Sequence, residues 1–380
     1  MRIAVLIRNF ATTGGGAERY SIAVVGQLAS RHDIHVFAQN IEHTIPGVTY
    51  HKVATPLARP RWINQLYFAA ATWWKTRHGY DIVHSHENTW HGNVQTVHVL
   101  PIKHTLFTSK RGLSLALRWL KVVTSPRLLV YLGLERARYA IHGERRVVLT
   151  SNALLGIMQA SYPKAVNAME VIAPGVTFVP GIASDQVRGA ARRSLGLPLD
   201  GLLLLFVAND FQKKGLPSLM QAMVKLPITY HLAVVGRSAQ LPNIQKTVIL
   251  LGLNNRVHFL GSMTRVDDAY SAANCLIHPT LEDTYAMVVL EAMAHGLPVL
   301  VSNAPYCGIS ADLTNGQNAM LLDNPKDVDS IVSGVVALTA TEEPAKSIAL
   351  AATQFARKHS WESVGDDYER CFQSITAALA

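Results

Sequence analysis

The second half of the sequence alternates short apolar runs with helix-length stretches, and this alternation limits the fold more than any other feature. Residues 202–208, 231–235, 257–260, 275–278, 299–302 and 320–322 read as strands, with helices between most of them. Strand-and-helix alternation at this spacing predicts a parallel sheet covered on both faces. The first half opens in the same way. Residues 2–8 read as a buried strand, 9–16 as a loop ending in Gly14, Gly15 and Gly16, 17–30 as a helix and 34–38 as a second strand. This is a β-α-β unit with a glycine turn. It lacks both the G-x-G-x-x-G fingerprint and the P-loop lysine. At 380 residues the chain is too long for one ordinary core, and two α/β domains are expected.

Residues 282–298, EDTYAMVVLEAMAHGLP, carry the densest chemistry. The strand at 275–278 runs into Pro279, a polar loop and then a helix. Met287, Leu290 and Ala294 mark its apolar face, and Glu291 falls on that face. A carboxylate there is costly to desolvate unless it is paired or holds a ligand. Asp283 lies at the helix mouth, where unpaired N–H groups and the positive dipole end favour an anion such as phosphate. Two acids bracketing a phosphate-favouring site form the inventory for a nucleotide sugar. The plainer readings are a helix N-cap for Asp283 and a core-paired or snorkelling acid for Glu291.

Asp283-x7-Glu291 resembles the E-x7-E motif of the retaining family 4 glycosyltransferases of GT-B architecture, and PTLEDTYAMVVLEAMAHGLPVL follows the motif's flanks. The chain departs from the pattern in having Asp283 for Glu, Thr284 and Ala286 where glycines are usual, and Tyr285 where Phe is usual. The resemblance implies an α/β chain of two Rossmann-like domains facing across a cleft. Residues 1–172 form the acceptor-side domain, 173–360 the nucleotide-sugar domain, and 361–380 a C-terminal helix crossing back to the first domain. It further implies transfer of a hexose from a UDP-sugar to a glycan or glycolipid hydroxyl with retention, without metal or other cofactor. The Asp-Phe-x-x-Lys-Gly pattern at 210–215, with Asn209 where an arginine is usual, is similar to the subgroup that glucosylates the lipopolysaccharide core.

The resemblance also distributes roles. Lys214, with Lys213 beside it, meets the diphosphate, as does the helix mouth at Tyr285, Ala286 and Met287. Glu291 holds the ribose, Asp283 and His86 hold the transferred sugar, and Arg237 reaches the nucleotide. Gly15 and Gly16 of TGGGAER lie near the donor phosphates. Arg19 and His98 belong to the acceptor side. Two lysines at a strand's carboxyl end suit a diphosphate on charge alone, although solvated lysines at a helix start look the same. A metal site made by His84, His86 and His98 is not expected, since no carboxylate cluster completes it. Asp327-x-Asp329 reads as first-turn acids rather than a metal-binding pair.

The net charge of +9 is uneven: residues 1–175 carry 20 Lys/Arg against 8 Asp/Glu, a surplus of +12, and the remainder balances at −3. No zinc-finger, RRM or helix-turn-helix pattern accompanies the charge, so nucleic acid is not the expected partner. In residues 110–127, Lys110, Arg111, Arg118, Lys121 and Arg127 alternate with Leu113, Leu115, Leu117, Trp119 and Leu120. That composition fits an anionic membrane surface or a phosphorylated acceptor. Residues 62–77, with aromatics at Trp62, Tyr67, Phe68, Trp73 and Trp74, read as an ordinary amphipathic domain helix. Cys275, Cys307 and Cys371 share no framework or metal spacing and are expected as reduced thiols. The apolar run at 3–7 is too short for a signal peptide. A cytoplasmic protein, peripheral at the inner face of the membrane, is expected. The competing readings are a nucleotide-sugar epimerase of the same fold, for which the first half is poor in carboxylates, and a catalytically silent nucleotide- or glycan-binding subunit.

Overall fold

A computed structural model describes residues 1–12, 15–57, 59–108, 110–177, 182–263, 265–340 and 342–379. The chain divides into two compact units, Met1–Pro174 with Trp361–Ala380, and Gly175–Ser360. The first unit holds a seven-stranded sheet in the order Val48–Lys52, Asp33–Ala38, Arg2–Leu6, Ile82–Ser85, Val94–Val97, Arg146–Leu149, Met169–Val171. All its pairings are parallel. Ile3, Ala4, Val5 and Leu6 are all buried, the burial of a strand covered on both faces rather than one. Leu6, Phe37 and Phe68 share one apolar cluster. Val97, Val147, Leu149, Leu154 and Met158 form another.

The terminal helix Trp361–Leu379 belongs to this unit. Its buried Tyr368 hydroxyl lies 3.0 Å from the Tyr20 hydroxyl and 2.8 Å from Thr96 Oγ1. Tyr20 in turn donates to the Ile172 carbonyl at 3.1 Å. Three buried hydroxyls thus satisfy one another in series, which removes the cost of burying them.

The second unit holds six parallel strands in the order Val257–Gly261, Tyr230–Val235, Leu202–Val207, Cys275–His278, Val299–Ser302, Met320–Leu322. One apolar cluster runs from Leu204 and Phe206 through Met220 and Ile277 to Ile331 and Leu338. In both units the strand that comes first in the chain lies inside the sheet, third in order from one edge. The chain winds to one edge, then returns and winds to the other. The result is a doubly wound sheet with a reversal point beside its first strand.

Several elements differ from the sequence reading. Val48–Lys52 is a strand although VTYHK shows no apolar run; it is an edge strand paired only with Asp33–Ala38, so one side needs no burial. Met169–Val171 is also an edge strand that the sequence reading left unassigned. The basic stretch 110–127, given no secondary structure in the sequence reading, spans two helices. Gly112–Val123 ends at Thr124, and Pro126 opens a second helix, Pro126–Arg138. Proline restricts the residue before it and is favoured at a helix's first position. The three cysteines are free and buried.

Candidate active site

In a doubly wound sheet ligands bind beyond the carboxyl ends of the strands at the reversal point. In the second unit that point lies between Leu202–Val207 and Cys275–His278, and the loops leaving these two strands are fastened together. Gly215 has φ +85°, and a Cβ there would lie 1.9 Å from the Pro279 carbonyl oxygen. Only glycine permits both the left-handed backbone and the approach. Leu281 N donates to the Lys213 carbonyl at 2.8 Å. This seam brings Lys214 Nζ within 2.7 Å of both the Glu282 carbonyl and Asp283 Oδ2. Lys213, exposed, pairs with Glu282 at 3.0 Å.

Asp283 is fully engaged. Oδ1 accepts the N–H groups of Tyr285 at 3.3 Å and Ala286 at 2.9 Å. Oδ2 takes Lys214 and lies 3.3 Å from His278 Nε2. Burial by itself would raise the carboxyl's pKa. The His278 hydrogen bond and the Lys214 charge outweigh it and hold the group well below the usual carboxylate range. Asp283 therefore caps the turn ahead of the helix rather than the helix itself, and the Tyr285 and Ala286 N–H groups point at Asp283. The helix Met287–Ala294 starts at Ala286, whose φ of +75° is the one positive value outside glycine among the described residues. A left-handed alanine costs about 1–2 kcal/mol. Met287 carries the first N–H of the helix mouth. Glu291, one turn on, is half-buried and accepts the Tyr270 hydroxyl at 2.7 Å. Arg237 is exposed. It follows Gly236, where a Cβ would lie 1.8 Å from the Ala208 carbonyl oxygen, so the loop ends of the two neighbouring strands lie side by side.

The first unit has a corresponding point between Arg2–Leu6 and Ile82–Ser85. His86 is buried just past the second strand. Its Nδ1 lies 2.9 Å from His98 Nε2, with the two rings stacked. Its Nε2 has no hydrogen-bond partner among the described residues. His84, beneath it, meets Thr96 at 2.7 Å. Burial, reinforced by neighbouring histidines and Arg138, lowers the pKa of His84 and of His98 to about 3 and holds His86 well below its ordinary value. All three rings are neutral at pH 7. Among the described residues no three His, Cys, Asp or Glu side chains are placed to hold a metal ion. Gly15 has φ −80° and donates its N–H to Glu18 Oε2 at 2.9 Å, and Gly16 begins the helix Gly16–Leu28. Gly14 lies outside the described residues. Arg19 is half-buried on that helix's first turn. Asp327 caps the helix Val328–Thr339 through the N–H groups of Asp329 and Ser330, and Asp329 pairs with Lys225.

Two groups beside these residues escape the sequence reading. His278 is the last residue of its strand, directly before Pro279, the position from which a side chain meets the carboxyl-end loop. Glu87 follows His86 and receives both the backbone N–H and Nε of Arg8, at 3.1 and 3.0 Å.

On the helix Gly112–Val123 only Val122 is buried. Leu113, Leu117, Trp119, Leu120 and Val123 are all more than half exposed. Lys110, Ser114, Leu117, Arg118 and Lys121 line an open cavity of about 270 Å³. No helix among the described residues is long and apolar enough to cross a membrane.

Two family models match the chain: Glycosyltransferase Family 4 over residues 14–178 and Glycosyl transferases group 1 over residues 187–355. A relative, the D-inositol 3-phosphate glycosyltransferase of Xylanimonas cellulosilytica, is 28% identical over 305 residues, 74% of this chain and 69% of its own length. Among solved structures, WaaG, a glycosyltransferase involved in lipopolysaccharide biosynthesis, superposes with a TM-score of 0.83 at 20% identity, over 96% of this chain and 98% of WaaG. HepE of Anabaena, crystallised with UDP and glucose, has a TM-score of 0.77 at 18% identity, over 98% of this chain and 100% of its own.

Proposed function

We propose, from the premise that the chain belongs to the family 4 glycosyltransferases of GT-B fold, that it moves a hexose from a UDP-sugar to a glycan or glycolipid hydroxyl with retention and without metal. The observation that carries the reading is the convergence of Lys214, Asp283 and the mouth of Met287–Ala294 at the second sheet's reversal point, with Glu291 one turn further in. Lys214 has three ammonium protons. Two are directed at Asp283 and Glu282, and the flexible stem lets the ammonium turn from Asp283 to a phosphate oxygen when the donor binds. Together with the helix's positive end it stabilises the charge that grows on the departing diphosphate. Glu291 takes the ribose hydroxyls and Asp283 takes hydroxyls of the transferred sugar, while in the first unit His86 Nε2, without a hydrogen-bond partner among the described residues, is free to meet a sugar hydroxyl. The acceptor hydroxyl attacks the anomeric carbon from the face the diphosphate leaves, and the leaving phosphate oxygen receives its proton. The complex of HepE with UDP and glucose supports the choice of donor.

Calorimetry with UDP and UDP-sugars tests this, followed by turnover in EDTA. Glu291→Gln is expected to weaken UDP binding by about 10- to 100-fold, the loss of a charged hydrogen-bond partner worth about 1.5–3 kcal/mol. Unchanged affinity would remove Glu291 from the site.

The same proposal places the acceptor in cell-surface polysaccharide synthesis, a reading supported by the likeness to WaaG. The enzyme then works peripherally at the inner face of the cytoplasmic membrane, docked by the helix Gly112–Val123. Exposed leucines and Trp119 enter the interface while Lys110, Arg111, Arg118 and Lys121 meet anionic headgroups. Vesicles with anionic lipid should pellet the wild type at low salt and release most of it at high salt, because the attraction is screened over about 10 Å at 0.1 M. A variant with those four residues changed to serine should stay in the supernatant. Equal pelleting of the two proteins sinks the membrane claim.

A further inference from the structure

His278 is 1% exposed, and among the described residues its side chain meets one polar partner, Asp283 Oδ2, at 3.3 Å from Nε2. Its other ring nitrogen, Nδ1, is buried without a hydrogen-bond partner among the described residues. Burial outweighs the pull of Asp283 and keeps the ring below its ordinary pKa. The imidazole is therefore neutral and has one N–H to give. Ionised Asp283 can only accept, so that proton sits on Nε2 and Nδ1 is left as a buried lone pair. An unpaired buried acceptor costs stability, and an apolar side chain of similar size would avoid the cost. His278 ends a strand whose other residues, Cys275, Leu276 and Ile277, are fully buried in the apolar core. Core packing alone therefore favours a leucine at this position, and the imidazole is explained by its Nε2–H.

The arrangement around Asp283 shows what that proton does. Oδ1 is fixed by two backbone N–H groups. Oδ2 has two partners, Lys214 and His278. Lys214 is on a long flexible stem and is the group that an anionic donor attracts. His278 is locked in the core and has no route to the diphosphate. We propose that His278 is a positioning residue: it keeps the Asp283 carboxylate in place while Lys214 turns from Oδ2 to the diphosphate, so that Asp283 meets the sugar hydroxyls in a fixed orientation. This rests on the reading of Asp283 as a sugar-binding group. His278 does not touch the substrate and acts only through the acid.

The test uses the full chain with His278→Leu and His278→Gln, the second of which can present an amide N–H in place of Nε2–H. Three quantities are read: the melting temperature without ligand, the UDP dissociation constant by calorimetry, and the rate of UDP release from UDP-glucose in water. His278→Leu is expected to melt at or above the wild-type temperature, to bind UDP within about twofold of wild type, and to release UDP at least tenfold more slowly at saturation. His278→Gln is expected to recover most of that rate. A leucine variant with wild-type turnover overturns the proposal. So does one whose stability, UDP affinity and rate fall together, which marks a structural histidine. Wild-type protein that neither binds UDP nor releases it from UDP-glucose overturns the donor-site reading, and this one with it. Wild type that does both, with an unimpaired leucine variant, overturns this one alone.

Discussion

Between pH 6.5 and pH 5 the first unit is expected to lose stability steeply, by about 4 kcal/mol per pH unit, once its unfolded chain protonates three histidines that the folded chain keeps neutral. In the unfolded chain His84, His86 and His98 titrate near the ordinary value of about 6.5. In the folded unit burial holds His84 and His98 at about 3 and His86 well below its ordinary value. A group whose folded pKa is depressed supports the fold fully above its unfolded pKa. That support is lost as pH falls from there toward the folded pKa. Each histidine contributes a proton-uptake difference worth about 1.4 kcal/mol per pH unit. The loss begins above the range where carboxylates titrate, which separates it from ordinary acid unfolding. Melting temperatures at half-unit steps from pH 7.5 to pH 5 measure it, and His98→Asn should reduce the slope by about a third. A melting temperature that stays flat across that range would show that the three rings take up protons in the folded unit at the same pH as in the unfolded chain.

Gly215→Ala is expected to cost about 3 kcal/mol or more and to abolish turnover, although residue 215 contacts no proposed substrate group. The left-handed backbone at φ +85° accounts for about 1–2 kcal/mol of that. The remainder is the strain of forcing the Pro279 carbonyl away from a Cβ that would sit 1.9 Å from it. Opening the seam also carries Lys214 away from Asp283. Denaturant unfolding gives the stability, and UDP binding by the refolded variant gives the site. A loss below about 1 kcal/mol with normal UDP affinity would mean that the two loops are not fastened at this point.

Much of the second unit was legible because its strands are continuous apolar runs. The runs at 275–278, 299–302 and 320–322 are strands with those bounds. The edge strand Val48–Lys52 was not legible, since one open side leaves VTYHK no reason to be apolar. Lys214, Asp283 and Glu291 could be found as residue types at a strand's carboxyl end and on one helix. That Lys214 meets Asp283 could not, because 69 residues separate them and the contact depends on a glycine approaching a carbonyl. His278 escaped for a similar reason. In the sequence it is the last member of an apolar run, and only burial with one nitrogen unpaired sets it apart. The tyrosine pair is the extreme case, with Tyr20 and Tyr368 lying 348 positions apart.

That pair bears on the order in which a ribosome can finish the protein. The first unit is begun before the second and completed after it. Its sheet is available once residue 174 has emerged, but Thr96 and Tyr20 wait for Tyr368, which arrives after the whole second unit. Domains generally fold as units during synthesis. The second unit, drawn from the continuous stretch Gly175–Ser360, can close while the first still has polar hydroxyls and the bed of Phe372 and Ile375 open to solvent. A nascent chain of this protein therefore passes through an interval in which its second unit is finished and its first is not.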